Sequence, residues 1–289
     1  MSTIRDHAPN VHNPVGELAR EHPGLVKIGR AGWFAKGVVY VLAGILALQI
    51  AAKASGFSKG AQTGQQEASP TGAIKAVAGS GGGVVLWMLA IGMLLYALWR
   101  VVSALLPGGK DAKAWATRIG YIASAVVYVT FAFSAIALAR DANKAPDGNQ
   151  KVTDISAKVM SHTGGRLLFG LIGVIIIATG LYRIYKGFKM DVDDELDMSG
   201  TGPGYRKLVE RLGAIGEIGR GIGFALVGFF LVRAAIKYDA NDATGLDGAL
   251  RRMAAQSWGV WVVVIVGIGF AAYGAFCLAT FTHRRLEAP

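Results

Sequence analysis

Six stretches of this chain, near residues 33–52, 84–106, 119–139, 167–187, 218–236 and 259–281, are almost wholly apolar. Each is close to the roughly 20 residues that a helix needs to cross a hydrocarbon core of about 30 Å. Six membrane-spanning helices therefore constrain the fold before anything else does. The composition agrees: of 289 residues 53% are hydrophobic and only 17% charged, against about 25% charged in an average soluble domain. The expected class is an all-α integral membrane protein.

The spans are not six independent helices. GWFAKGVVYVLAGILAL, at 32–48, returns in altered form at Gly120 and Gly216. Gly32, Gly120 and Gly216 align, as do Lys36, Ser124 and Arg220, then Tyr40, Tyr128 and Phe224, then Gly44, Ala132 and Gly228. The second helix of each pair ends on aromatics three residues apart: Tyr96 and Trp99, Tyr182 and Tyr185, Tyr273 and Phe276. Between the paired spans lie TGAIKAVAGSGGG, TDISAKVMSHTGG and LDGALRRMAAQSWG, each with apolar residues at helical spacing and basic residues beside them, as in a helix lying at the membrane surface. One unit of helix, interfacial helix and helix thus recurs three times. Each unit crosses twice and returns to its starting face, so the copies run parallel, unlike the inverted repeats of many transporters. A pseudo-threefold bundle follows.

The expected organisation is a flexible N-terminal tail (1–26), repeat 1 (27–110), repeat 2 (115–198), a linker (199–212) and repeat 3 (213–283). The first 32 residues lack the apolar core of a signal peptide or a span. Of the 30 Lys and Arg residues, 18 fall on the side carrying both ends of the chain. Since cytoplasmic loops are enriched in these residues, both termini are expected in the cytoplasm, with the protein in the bacterial plasma membrane.

The strings IGRAGWFAKGVVYVLAG, TRIGYIASAVVY, GRGIGFALVGFFLVRAA and GLDGALRRMAAQSWGVW, followed by FAAYGAF, resemble the bacterial membrane family catalogued as domain of unknown function 1206 (DUF1206), across roughly residues 25–283. The resemblance implies three tandem two-helix units and a membrane location, and it carries no activity. Ser124 departs from the family pattern where a basic residue is expected, and Glu217 where an aromatic or apolar one is expected.

No chemistry stands out. DVDDELD at 191–197 holds a DDxxD pattern in Asp193, Asp194 and Asp197, which could bind Mg²⁺. The nearest second acidic pair, Asp239 and Asp242, is expected across the membrane, so 191–197 reads as a solvated loop. It lacks the Gly and Glu of an EF-hand. The five histidines, His7, His12, His22, His162 and His283, all lie outside the span centres, which argues against haem. The one cysteine, Cys277, sits in the last apolar block, so it has no disulfide partner within the chain and reads as a packing residue. No catalytic residue, metal site or cofactor is expected.

Lys36 and Arg220 read as interfacial anchors whose long side chains snorkel to the inner surface. Arg233, 13 residues beyond Arg220, lies roughly 20 Å further along the helix. It either snorkels outward toward Asp239 or Asp242, or lines a polar vestibule with its repeat counterpart Gln49. No Asp or Glu falls within the six blocks, which disfavours a proton-coupled carrier. The leading expectation is a non-enzymatic structural or accessory protein that binds anionic lipid headgroups or other membrane proteins, and not nucleic acid. The net charge of +11 fits attraction to anionic lipid. The alternative is a channel or transporter for a small solute, an anion among the candidates.

Overall fold

The computed structural model describes residues 23–56, 74–75, 83–105, 112–141, 148–162, 164–190, 196, 198 and 201–282. The spans are α1 (Pro23–Ala54), α2 (Gly83–Leu105), α3 (Ala112–Arg140), α5 (Gly165–Phe188), α6 (Pro203–Lys237) and α8 (Gly259–Thr280). All six are long and apolar enough to cross a membrane, and helices suit that setting because their backbone polar groups are satisfied internally. Two shorter helices, α4 (Gly148–Met160) and α7 (Leu246–Ala254), occupy the second and third hairpins. In the first hairpin only Ile74 and Lys75 are described, both helical, with Ile74 fully buried. The stretch 191–197, Leu196 apart, and the expected tail up to residue 22 lie outside the described residues. Most of the expected linker is helical, since α6 starts at Pro203, a residue suited to the first helical turn.

The strongest interfaces join one unit to the next: α2 to α3, α5 to α6 and α8 to α1. Small residues make these approaches possible. Gly173, Gly180 and Gly187 recur every seven residues on α5, and they face Gly228, Gly221 and Ala214 of the antiparallel α6. A Cβ on Gly180 would stand 2.6 Å from the Gly221 carbonyl oxygen, and one on Gly44 of α1 would stand 2.6 Å from the Ala271 backbone nitrogen on α8. Where lipid competes with helix contact on equal apolar terms, such backbone proximity is what holds spans together.

Within units the picture divides. Gly32 lies against Tyr96 in the first unit and Gly216 against Tyr273 in the third. No comparable interface joins α3 to α5 in the second. The spans therefore form a ring in the order α5, α6, α8, α1, α2, α3, open between its two ends.

The beginning of α1 meets the end of α8, where Trp33 Nε1 donates to Thr280 Oγ1 at 3.2 Å and the Phe34 and Phe281 rings lie 5.5 Å apart. This is the terminal end of the bundle. The opposite, hairpin end is filled by apolar side chains. Leu46, Ile50, Leu86, Leu89, Leu138, Val263 and Leu250 belong to one buried cluster. Asp247 of α7 is buried too; it accepts from Asn149 Nδ2 (3.1 Å) and Arg251 Nε (2.9 Å), which ties α7 to α4.

Candidate functional site: a buried cation and tyrosine cluster

Lys36 lies one helical turn after Trp33 on α1, a placement that turns both toward the bundle interior. The side chain is buried, and its Nζ stands 4.3 Å from the Trp33 ring centroid, with Tyr96 and Tyr273 each at 5.3 Å and Tyr128 at 5.9 Å. Four ring faces from α1, α2, α3 and α8 thus enclose one ammonium, the arrangement in which aromatic quadrupoles attract a desolvated cation most strongly. Its polar partner is the Tyr96 hydroxyl, which accepts from Nζ at 3.4 Å. The same hydroxyl accepts from Arg100 Nε at 2.9 Å and Nη2 at 2.6 Å.

Arg220 enters from α6. Its guanidinium carbon lies 3.8 Å from the Tyr273 centroid and 5.4 Å from that of Tyr40, so Lys36 and Arg220 share the Tyr273 ring. Arg220 Nη1 donates to Glu217 Oε1 at 2.9 Å, while Arg183 Nη1, from α5, donates to Glu217 Oε2 at 2.8 Å. One carboxylate is held between two guanidiniums, each of which keeps a buried Nε without a hydrogen-bond partner. Arg183 and Arg220 thus share this carboxylate, while Lys36 and Arg100 share the Tyr96 hydroxyl.

The placement of Lys36 and Arg220 corrects the expectation of interfacial anchors, for they are 6% and 7% exposed. The reason is the helix face: Lys36 and Arg220 lie four residues after Gly32 and Gly216, on the sides of α1 and α6 that pack against Tyr96 and Tyr273. Rings and a carboxylate supply in the interior what water would supply at a surface. Glu217 corrects a second expectation, since this acidic residue belongs to a spanning helix and its side chain is only 13% exposed. Aligned with Trp33 and Tyr121, it replaces an aromatic by a counter-ion beside Arg220.

Arg233 and Gln49 are not brought together. Arg233 lies at the hairpin end, 43% exposed, and its Nε donates to Asp242 Oδ2 at 3.2 Å, where Lys237 (3.4 Å) and Arg252 (3.7 Å) also converge. Of the two readings of Arg233, this geometry is the outward one. Gln49 is half-buried with its Oε1 enclosed and unpartnered. Sequence reasoning missed Arg100, Arg183, Glu217 and the aromatic cage. The available signal was the tyrosine at 40, four residues beyond Lys36, together with the terminal aromatics Tyr96 and Tyr273.

A ring of spans built from three two-helix units, closed on a polar cluster at one end and apolar at the other, defines a multi-pass membrane protein with internal repeats. The family model described as Domain of Unknown Function (DUF1206) matches residues 31–106, 119–190 and 215–280, and the chain belongs to that family. A relative described as "Uncharacterized protein YxxB" of Bacillus subtilis (strain 168) is 30% identical over 268 residues, which cover 91% of this chain and 93% of the relative. No solved structure matches.

Proposed function

We propose that the protein is a non-enzymatic accessory protein of the bacterial plasma membrane, with both termini cytoplasmic, that binds anionic lipid headgroups or membrane partners and does not conduct solutes. The observation that carries this reading is the closure of the bundle at the hairpin end. Leu46, Ile50, Leu138, Val263 and Leu250 interlock there in one apolar cluster, and Arg233, the charge that would have served a vestibule, is tied to Asp242. A filled apolar segment raises the barrier to any hydrated ion. The terminal end is basic, and juxtamembrane basic residues are attracted to the anionic cytoplasmic leaflet. Vesicles carrying the purified protein are expected to be as tight to chloride and phosphate as empty ones; a protein-dependent flux would overturn the reading.

A second reading, a carrier for a small anion, is favoured by the two guanidiniums gathered on Glu217. The same vesicles separate the two, because a carrier exchanges labelled anion under a gradient and an accessory protein does not.

A further inference from the structure

Glu217 is a carboxylate at a position that the repeat gives to an aromatic, Trp33 in the first unit and Tyr121 in the second. Its two oxygens are divided between two helices. Oε1 accepts from Arg220 Nη1 on its own helix at 2.9 Å, and Oε2 accepts from Arg183 Nη1 on α5 at 2.8 Å. A carboxylate spanned in this way by two guanidiniums meets a charge-assisted donor at each oxygen.

The guanidiniums do not depend on Glu217 for their places. Arg220 lies 3.8 Å from the Tyr273 centroid and 5.4 Å from that of Tyr40, while Arg183 stands 5.4 Å from the Phe224 centroid. The backbones that carry them are fixed as well. Whereas α3 and α5 leave an open seam between them, α5 and α6 touch through Gly180 and Gly221, and a Cβ on Gly187 would stand 2.8 Å from the Ala214 carbonyl oxygen. Arg183 lies between Gly180 and Gly187 in sequence and Arg220 precedes Gly221, so helix packing sets the separation of the two cations. Donors held by rings and backbone keep their geometry when the group between them is taken away.

We propose that Arg183 and Arg220 form a binding site for one small carboxylate, which the natural chain fills with its own Glu217. Replacing Glu217 by alanine removes a methylene and a carboxylate, the heavy atoms of an acetate ion, so acetate is the free ligand that matches the vacated space. The way in runs beside Arg183, whose side chain is 29% exposed. In the natural chain the site is already occupied, and added carboxylate does not bind there. The inference goes beyond both functional readings above and depends on neither.

The test is thermal unfolding of the full-length protein in detergent, as wild type and as Glu217→Ala, with acetate, acetamide or chloride added. Acetate is expected to raise the unfolding temperature of Glu217→Ala saturably and most of the way to the wild-type value. It should leave the wild type unmoved, and Glu217→Gln too, whose amide still fills the space. Acetamide supplies the volume without the charge, chloride supplies the charge without the second oxygen, and neither is expected to substitute for acetate. Adding Arg183→Gln to Glu217→Ala removes one of the two donors and is expected to weaken the acetate effect roughly tenfold or more. Where Glu217→Ala does not accumulate by itself, cells grown and lysed in acetate are expected to yield it folded. The proposal is overturned by an absence of folded protein under that condition, by folded Glu217→Ala that acetate does not stabilise, or by an equal gain from chloride or acetamide. An acetate effect of the same size in the wild type, or one indifferent to Arg183→Gln, would overturn it as well.

Discussion

The first and third units are closed and the second is open, although all three carry a glycine at the same point of their first span. Gly32 and Gly216 sit against the Cβ of a buried tyrosine, whereas Gly120 faces nothing. A conserved spacing within one chain therefore specifies an interface that two copies form and a third leaves unused. What differs is the charge beside it. Lys36 and Arg220 lie next to the closed crossings and draw Tyr96 and Tyr273 inward as ring faces and hydroxyl, while the second unit has Ser124, which offers Tyr182 no cation.

The largest effect that would break this comparison comes from the buried acid. Glu217→Gln leaves Arg183 and Arg220 without their carboxylate and is expected to destabilise the folded protein by roughly 3 kcal/mol in thermal or denaturant unfolding, the cost of leaving buried charge uncompensated. Next in size are the aligned glycines. Gly32→Ala and Gly216→Ala bring a Cβ to 2.6 and 2.7 Å from a tyrosine Cβ, and each is expected to cost about 1–3 kcal/mol. Gly120→Ala meets open space and is expected to be neutral or to gain up to about 1 kcal/mol from helix propensity. Equal losses at all three positions would mean that the second unit is closed as well.

Tyr96→Phe and Tyr182→Phe sharpen the same contrast through one atom. Removing the Tyr96 hydroxyl deprives Arg100 and Lys36 of an acceptor, with an expected loss of roughly 1.5–3 kcal/mol. The change at exposed Tyr182 should stay within about 0.5 kcal/mol.

The smallest effect is expected at the hairpin end. Burial raises the Asp242 pKa, but hydrogen bonds from Arg233 and Lys237 outweigh it and hold the carboxyl below its ordinary value. A depressed folded-state pKa contributes stability above the unfolded value, about pH 4, and that contribution is lost as pH falls through the folded value. Arg233→Gln should therefore cost less than about 1 kcal/mol at neutral pH, with the difference from wild type shrinking in acid.

The six spans and their threefold repetition were legible because apolar length and the recurrence of Gly, basic and aromatic positions are one-dimensional signals. The short helices of the second and third hairpins were legible because charge and apolar residues alternate at helical spacing, as in α7. The cluster was not. Whether Lys36 snorkels or turns inward depends on what its helix face meets, and that is decided by the packing of the whole ring. Glu217 was invisible for the same reason. The open seam was the least legible of all, since Gly120, Ala123, Ala178 and Tyr182 match the residues of a closed crossing, and only the packing of the whole ring decides whether they meet.

That difference between units can be measured in the membrane by paired cysteines in a Cys277→Ala background. Disulfide formation needs Cβ atoms about 3.5–4.5 Å apart. A Cβ at 92 would stand 2.9 Å from that of 35, just below this range, so cysteines there need only a small parting of α1 from α2 and should cross-link, whereas cysteines at the aligned positions 123 and 178 should not. Cross-linking of the second pair as fast and as completely as the first would contradict the open seam.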